Sequence, residues 1–171
     1  MAVLFAGVLY SSDEVFFPVS RELKEIFGNT ILESPPLPWD YTDYYVRELE
    51  NPVHRRFLFF GRDVDASSII DAKLKTMSLE TKFSKGGKRQ INIDPGYMTL
   101  AKVVLASRKN YSHRIYLGRG VFGEVELFHK AGRFNALSYT YPDYRDQALL
   151  EIFSKARALL KRSFMLSAGK P

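Results

Sequence analysis

Three features of this sequence predict an α+β fold. Val3–Leu9 (VLFAGVL) and Arg55–Gly61 (RRFLFFG) are apolar without alternation, as strands covered on both faces are. A segment with helical spacing of apolar residues follows each of them. Across residues 1–95 the order is strand, helix, strand, strand, helix, strand, which is the βαββαβ pattern of ferredoxin-like domains. That pattern places its first and third strands in the centre of the sheet, and here those are the two unbroken apolar runs.

Each element has a local cause. After the first strand, Ser11, Ser12 or Asp13 can cap a helix whose apolar positions are Phe16, Val19, Leu23, Ile26 and Phe27. Gly28-Asn29 ends it. Thr30–Glu33 is a short second strand. Asp65 or Ser67 caps the second helix, which runs to about Phe83 with Ile70, Leu74 and Met77 as its buried face. In Gln90–Asp94 the residues alternate: Ile91 and Ile93 point one way, while Gln90, Asn92 and Asp94 point the other.

Residues 96–171 are predicted to form an extension packed on this core, within a single domain. DPGY (Asp94–Tyr97) has Pro and Gly where a β-turn wants them. Thr99 can cap a short helix, Leu100–Ser107. A three-stranded antiparallel meander follows: His113–Leu117, Val121–Phe128 and Phe134–Tyr141, joined by Gly118-Arg119-Gly120 and Ala131-Gly132. If the first turn pairs Leu117 with Val121, Ile115 faces Gly123, Arg114 opposes Glu124 and Tyr116 opposes Phe122. A final helix spans about Asp143 to Phe164.

Composition narrows the chemistry. The chain has no cysteine, which excludes disulfides, thiolate metal sites and a cysteine nucleophile. No apolar run reaches membrane-spanning length, and SSDE follows the brief apolar N-terminus where a cleavage site would be needed. No membrane partner is therefore expected, and a cytoplasmic location is. The net charge of +6 is unevenly spread: Met1–Thr81 carries 8 basic and 13 acidic residues, Lys82–Pro171 carries 17 and 6. The basic half suits an anionic small molecule, a nucleotide or RNA.

The stretch ESPPLPWDYTDYY, Glu33–Tyr45, combines three prolines, four aromatics and three carboxylates. About twenty residues of weak pattern follow Ser34, which suits a lid over a binding site. Trp39, Asp40, Tyr41 and Asp43 are its candidate ligand contacts. Asp40 and Asp43 serve equally well as helix caps, and Trp39 as an anchor for a partner protein in an adaptor. The anion-holding candidates are Arg56, Lys102 and Arg114, with Asn92 and Asp94 orienting the ligand and Tyr97 as a further ligand contact. The free N–H groups of the helix expected near Thr99 would add a phosphate cradle. Asp94, His113 and Glu124 are candidates for acid–base work. Magnesium is compatible with Asp40, Asp43 or Asp94, although no spacing demands it. Acids of the first half and cations of the second are expected to meet in one aromatic-walled hollow. An RNA-binding surface would instead use Lys109, Tyr111, His113, Arg114, Tyr116 and Arg119. The sequence leaves open whether the protein is an enzyme, and its oligomeric state.

SKGGKRQ and GRGVFG are not nucleotide loops: one joins a helix to a strand, the other is a hairpin turn. LESPPLPWDYTDYY, INIDPGYMTLAKVVLASRKNYSHRIYLGRGVFGEVEL and TYPDYR together resemble a bacterial family catalogued as domain of unknown function 4416. The resemblance covers nearly the whole chain, from VLFAGVLYSSDE to the final helix, and implies no established activity or catalytic residue. Some members carry the label "GTP-binding protein", but this chain has neither GxxxxGK[ST] nor NKxD.

Overall fold

The computed structural model describes residues 2–42, 45, 49 and 52–168. Among the described residues it is an α+β structure with a large antiparallel sheet and three long helices. The order is β1 (Ala2–Tyr10), α1 (Asp13–Phe27), β2 (Thr30–Glu33), β3 (Leu37–Pro38), β4 (His54–Val64), α2 (Ser68–Lys82) and β5 (Ile91–Met98). Then come β6 (Lys102–Ser107), β7 (Ile115–Gly118), β8 (Val121–Lys130), β9 (Arg133–Ala136), a 3-10 turn (Pro142–Arg145) and α3 (Gln147–Ala168). The strands lie in the order β2-β4-β1-β5-β6-β8-β7, with β3 beside β4 and β9 beside β8. Among the described residues, no helix is long and apolar enough to cross a membrane.

The two unbroken apolar runs are β1 and β4, side by side and buried on both faces. Leu4, Ala6, Val8, Leu58 and Phe60 pack under α1 and α2 with Phe16, Val19 and Leu23. Val3, Phe5, Phe57 and Phe59 pack on the opposite face with Leu149, Ile152, Phe153 and Ala156 of α3. Ser12 caps α1 by accepting from the Glu14 N–H at 3.2 Å, and Gly28 ends it at φ 96° with its N–H on the Lys24 carbonyl.

The buried face of α2 differs from the expected one. Ile69, Ala72, Lys73, Thr76, Leu79 and Glu80 are buried, while Ile70, Leu74 and Met77 lie on the half-buried flank. The apolar stripe is faint because two of its members are charged.

DPGY is not a turn, and Leu100–Ser107 is not a helix. Asp94–Tyr97 lies inside β5, and Lys102–Ser107 is β6. The reversal falls at Thr99, whose hydroxyl accepts from the N–H groups of Ala101 and Lys102. Gly96 serves close approach here: a Cβ there would lie 2.3 Å from the Phe5 ring and 2.4 Å from the Val104 carbonyl oxygen. Pro95 is tolerated because of its parity. The N–H and C=O of Ile93 point away from β1, toward Glu80 and Lys73. Pro95, two residues on, therefore carries its missing N–H on that same edge, where β6 pairing has not begun. Gly96→Ala is expected to destabilise the fold by about 1–3 kcal/mol through overpacking. An unchanged urea midpoint would contradict this packing role.

The last strands do not form a simple meander. β6 holds one edge of β8, and β7 and β9 share the other, end to end. Ile115 pairs with Gly123 and Tyr116 with Phe122, as the register expected, but a shift pairs Gly118 rather than Leu117 with Val121. A bulge in β8 skips Glu126, so that Glu126 and Leu127 are both buried.

Candidate functional site

The sheet opens where β6 leaves β5. Their pairing stops at Gly96–Leu105, which frees the edge of Ile91–Pro95. Side chains of α2 cover that edge: Glu80 Oε1 accepts from the Ile93 N–H at 2.5 Å, and Lys73 Nζ donates to the Ile93 carbonyl at 3.3 Å. This is why α2 buries a lysine and a glutamate on its inner face.

Asp94 gathers the near wall. Asn92 Nδ2 donates to Asp94 Oδ2 at 2.8 Å, Lys73 Nζ stands 3.7 Å from Oδ1, and Arg55 Nη2 stands 3.4 Å from Oδ2. Arg89 reaches in from the turn before β5 to Glu80 at 3.3 Å and Asn92 at 3.0 Å. Arg55 arrives from β4 by crossing Gly7 of β1, where a Cβ would sit 2.7 Å from Nη2. Its other terminal nitrogen, Nη1, lies 2.8 Å from Asp143 Oδ2 in the 3-10 turn. The rings of Phe57 and Tyr144 flank the guanidinium at 5.1 and 5.4 Å.

The far wall comes from the segment between β6 and β7 and from β8. Arg114 donates to Ser107 Oγ at 2.6 Å and to the Lys109 carbonyl at 3.1 Å, and its Nη2 lies 2.7 Å from Glu124 Oε1. His113 Nε2 takes the other oxygen of that carboxylate at 2.8 Å and stacks on Tyr139 at 4.6 Å. Tyr45, Tyr111, Tyr141 and Tyr144 complete a cleft of about 310 Å³. Among the described residues, six cations line it (Arg55, Lys73, Arg89, Arg108, Lys109 and Arg114) against the carboxylates of Glu80, Asp94 and Glu124.

Burial sets the protonation behaviour of this network. Desolvation raises the Glu80 carboxyl above its ordinary range, although Lys73 and the Ile93 N–H oppose it. Burial likewise raises Asp143, with Arg55 pulling the other way. The Trp39 indole N–H also acts on the Asp143 carboxylate, without closing a hydrogen bond of regular geometry. Burial works against the charge on Arg55, but Asp143, Tyr144 and Asp94 outweigh it and raise its pKa. Glu126, behind the far wall, is pushed up to about 7 by burial and then by Glu124.

The expected site residues divide among several places. Asn92, Asp94, Arg114 and Glu124 meet in the cleft. Tyr97, Lys102 and His113 line a different, largely apolar groove, which among the described residues shares only Glu124 with it. Lys102 is a strand residue, so the phosphate cradle at a helix start near Thr99 does not exist. Trp39 and Tyr41 line a small pocket of about 140 Å³ beside Arg55 and Asp143. Trp39 is buried against Leu9, Leu49 and Val53, so it anchors the protein's own core rather than a partner pocket. The Tyr41 hydroxyl donates to Asp146. Asp40 is exposed and does not line the cleft, and Asp43 lies outside the described residues. Arg56 points to the other face of β4, onto the Phe16 ring at 4.5 Å and the Ser34 carbonyl at 3.2 Å. Among the described residues, no group of three or more acidic or histidine side chains is placed to hold a metal ion.

The charges of the hollow come from both halves of the chain, not acids from one and cations from the other. Sequence reasoning misses Arg55, Lys73, Glu80 and Arg89. Two signals were available: an arginine opening an apolar strand run, and a Lys73–Glu80 pair seven residues apart, hence on one helix face.

Fold and cleft together define an α+β protein whose single large antiparallel sheet parts around a charge-lined, tyrosine-walled hollow. The chain belongs to the family described as Domain of unknown function (DUF4416), whose family model matches residues 1–159. No curated protein and no solved structure matches it significantly.

Proposed function

We propose that the protein binds an anionic small molecule, phosphorylated or nucleotide-like, in the cleft between β5 and β6. The observation that carries this reading is the excess of cations: among the described residues six line a cavity with three carboxylates, and they still outnumber the acids when Asp143, paired with Arg55, is counted. Such an imbalance in a partly desolvated cavity favours a ligand that brings negative charge. The tyrosine walls suit a planar ring beside that charge. Tyr111 is half exposed at the rim and already stacks on the Arg114 guanidinium at 4.6 Å. For acid–base work the cleft has Asp94 and Glu124; His113 lies in the neighbouring groove and reaches the cleft only through its contact with Glu124.

A ferredoxin-like first half belongs to the same proposal, supported by the order β2-β4-β1-β5 with α1 and α2 on one face. A single domain and a cytoplasmic location complete it. RNA is the weaker occupant. Both faces of the central strands are covered, and Arg114, expected on an exposed strip, has most of its side chain covered in its pair with Glu124.

Calorimetric titration with inorganic phosphate, a nucleoside monophosphate and the parent nucleoside tests the reading. The two phosphates should bind, and the nucleoside should bind more weakly. Lys109→Ala and Arg89→Ala should each weaken the nucleotide about tenfold, the worth of one charge-assisted contact. Absence of binding by all three ligands would refute the reading. An oligonucleotide that binds more tightly than the mononucleotide, with affinity falling steeply with salt, would favour RNA instead.

A further inference from the structure

We infer a second binding site, for an amphipathic carboxylic acid, in the groove on the other side of Glu124. This cavity of about 390 Å³ lies between the start of α2 and the strands β6, β7 and β8. Its size is that of a small-molecule pocket. Ile69 and Val104 form its buried floor, and Ile70, Val125, Ile115 and Leu117 its walls. Ile115 is 73% exposed and Leu117 38%, so apolar surface stays open to water along one wall. Leu117 is held there by Gly123, where a Cβ would come within 2.9 Å of its side chain. An apolar body lying in the groove would remove this surface from water.

Charge identifies the other end of the ligand. The carboxylate in the groove, Glu124, is already engaged on both oxygens, by Arg114 and His113. The His113 ring is fixed between that carboxylate and Tyr139. Lys102 is different: it is exposed at the rim, and its ammonium makes no ion pair or hydrogen bond among the described residues. A cation without a partner beside an apolar trough is complementary to an acid with a hydrocarbon or aryl body. Lys102 would hold the carboxylate and the trough the body. This inference does not depend on the occupant of the polar cleft.

Decanoate and decanol are suitable probes, followed by calorimetry and by methyl NMR of Ile69, Val104, Ile115 and Val125. Decanoate should bind and shift these methyls. Lys102→Ala should weaken decanoate about tenfold and leave decanol unchanged. Ile115→Ser, at an exposed position that the fold does not need, should weaken both severalfold. Equal losses of decanoate and decanol in Lys102→Ala, or no shift of the groove methyls, would overturn the assignment. A dimer in light scattering that Ile115→Ser dissolves would overturn it too, by giving the groove to a second copy. Titrating phosphate into the same samples keeps the outcome separate from that of the polar cleft.

Discussion

Arg55→Leu is expected to destabilise the protein by about 3–5 kcal/mol, the usual loss when one partner of a buried ion pair is removed. Arg55 is 4% exposed, and its partner Asp143 is equally buried. The two terminal nitrogens serve different carboxylates: Nη1 holds Asp143 at 2.8 Å, and Nη2 reaches Asp94 at 3.4 Å. Without the guanidinium, Asp143 would keep a charge in a desolvated place with only weak donors near it. Burial already raises its pKa, so the variant should recover part of its stability as the pH falls from 7 to 5 and Asp143 takes up a proton. Asp143→Asn in the Arg55→Leu background should restore stability too, because no lone charge then remains. Urea melts of the two single variants and the double variant, at both pH values, measure this. A loss below about 1 kcal/mol for Arg55→Leu would mean that water reaches the pair freely, and that this end of the cleft is not the desolvated site described.

Much of the fold is legible because its signals are burial patterns. β1 and β4 read as central strands because Val3–Leu9 and Phe57–Phe60 carry nothing polar on either face, and α1 reads from its spacing and its Ser12 cap. Asp94-Pro95-Gly96 misleads for a physical reason. Proline and glycine have two uses in a chain, and only tertiary contacts choose between them. Here glycine makes room for Phe5 and the β6 carbonyl, and proline sits on an edge with no ladder bond to lose. Once that stretch is read as a turn, β6 becomes a helix by default, and the parting of β5 from β6 disappears from view.

That parting is the reason the cleft was only half visible. Asn92 and Asp94 stand out by alternation, and Arg114–Glu124 by cross-strand register. Lys73 and Glu80 do not, because a charge on a helix looks the same whether it faces water or an unpaired strand edge. Placing Ile70, Leu74 and Met77 at the centre of the inner face rotates α2 enough to move both charges to its flank. Arg55 and Arg56 are a second case. They are neighbours on a strand, so their side chains leave on opposite faces, and composition cannot say which one enters the site. The alternation of Phe57 and Phe59 against Leu58 and Phe60 decides it only when α3 is known to cover the odd-numbered face.

Glu126→Gln is expected to stabilise the protein by roughly 3 kcal/mol at pH 8 and to change little at pH 5. The β8 bulge buries Glu126 at 1% exposure beside Glu124, and its carboxyl is pushed from 4.5 up to about 7. The folded-state value is raised, so between about pH 4.5 and 7 the folded protein keeps a proton that the unfolded chain has released. Stability contributed by this group therefore falls as the pH rises through that window, and the full loss persists above it. Glutamine removes the charge and keeps the useful contact, because its carbonyl oxygen can accept the Tyr141 N–H as Glu126 Oε2 does at 3.1 Å. Buried Asp143 and Glu80 shift in the same direction, so wild-type stability alone would not isolate Glu126. The difference between variant and wild type, followed by urea melts from pH 4 to 8.5, does. A difference that stays flat across the range, or that grows toward acid, would show that Glu126 is ionised in the fold at neutral pH and that the far wall of the cleft is wetter than its burial indicates.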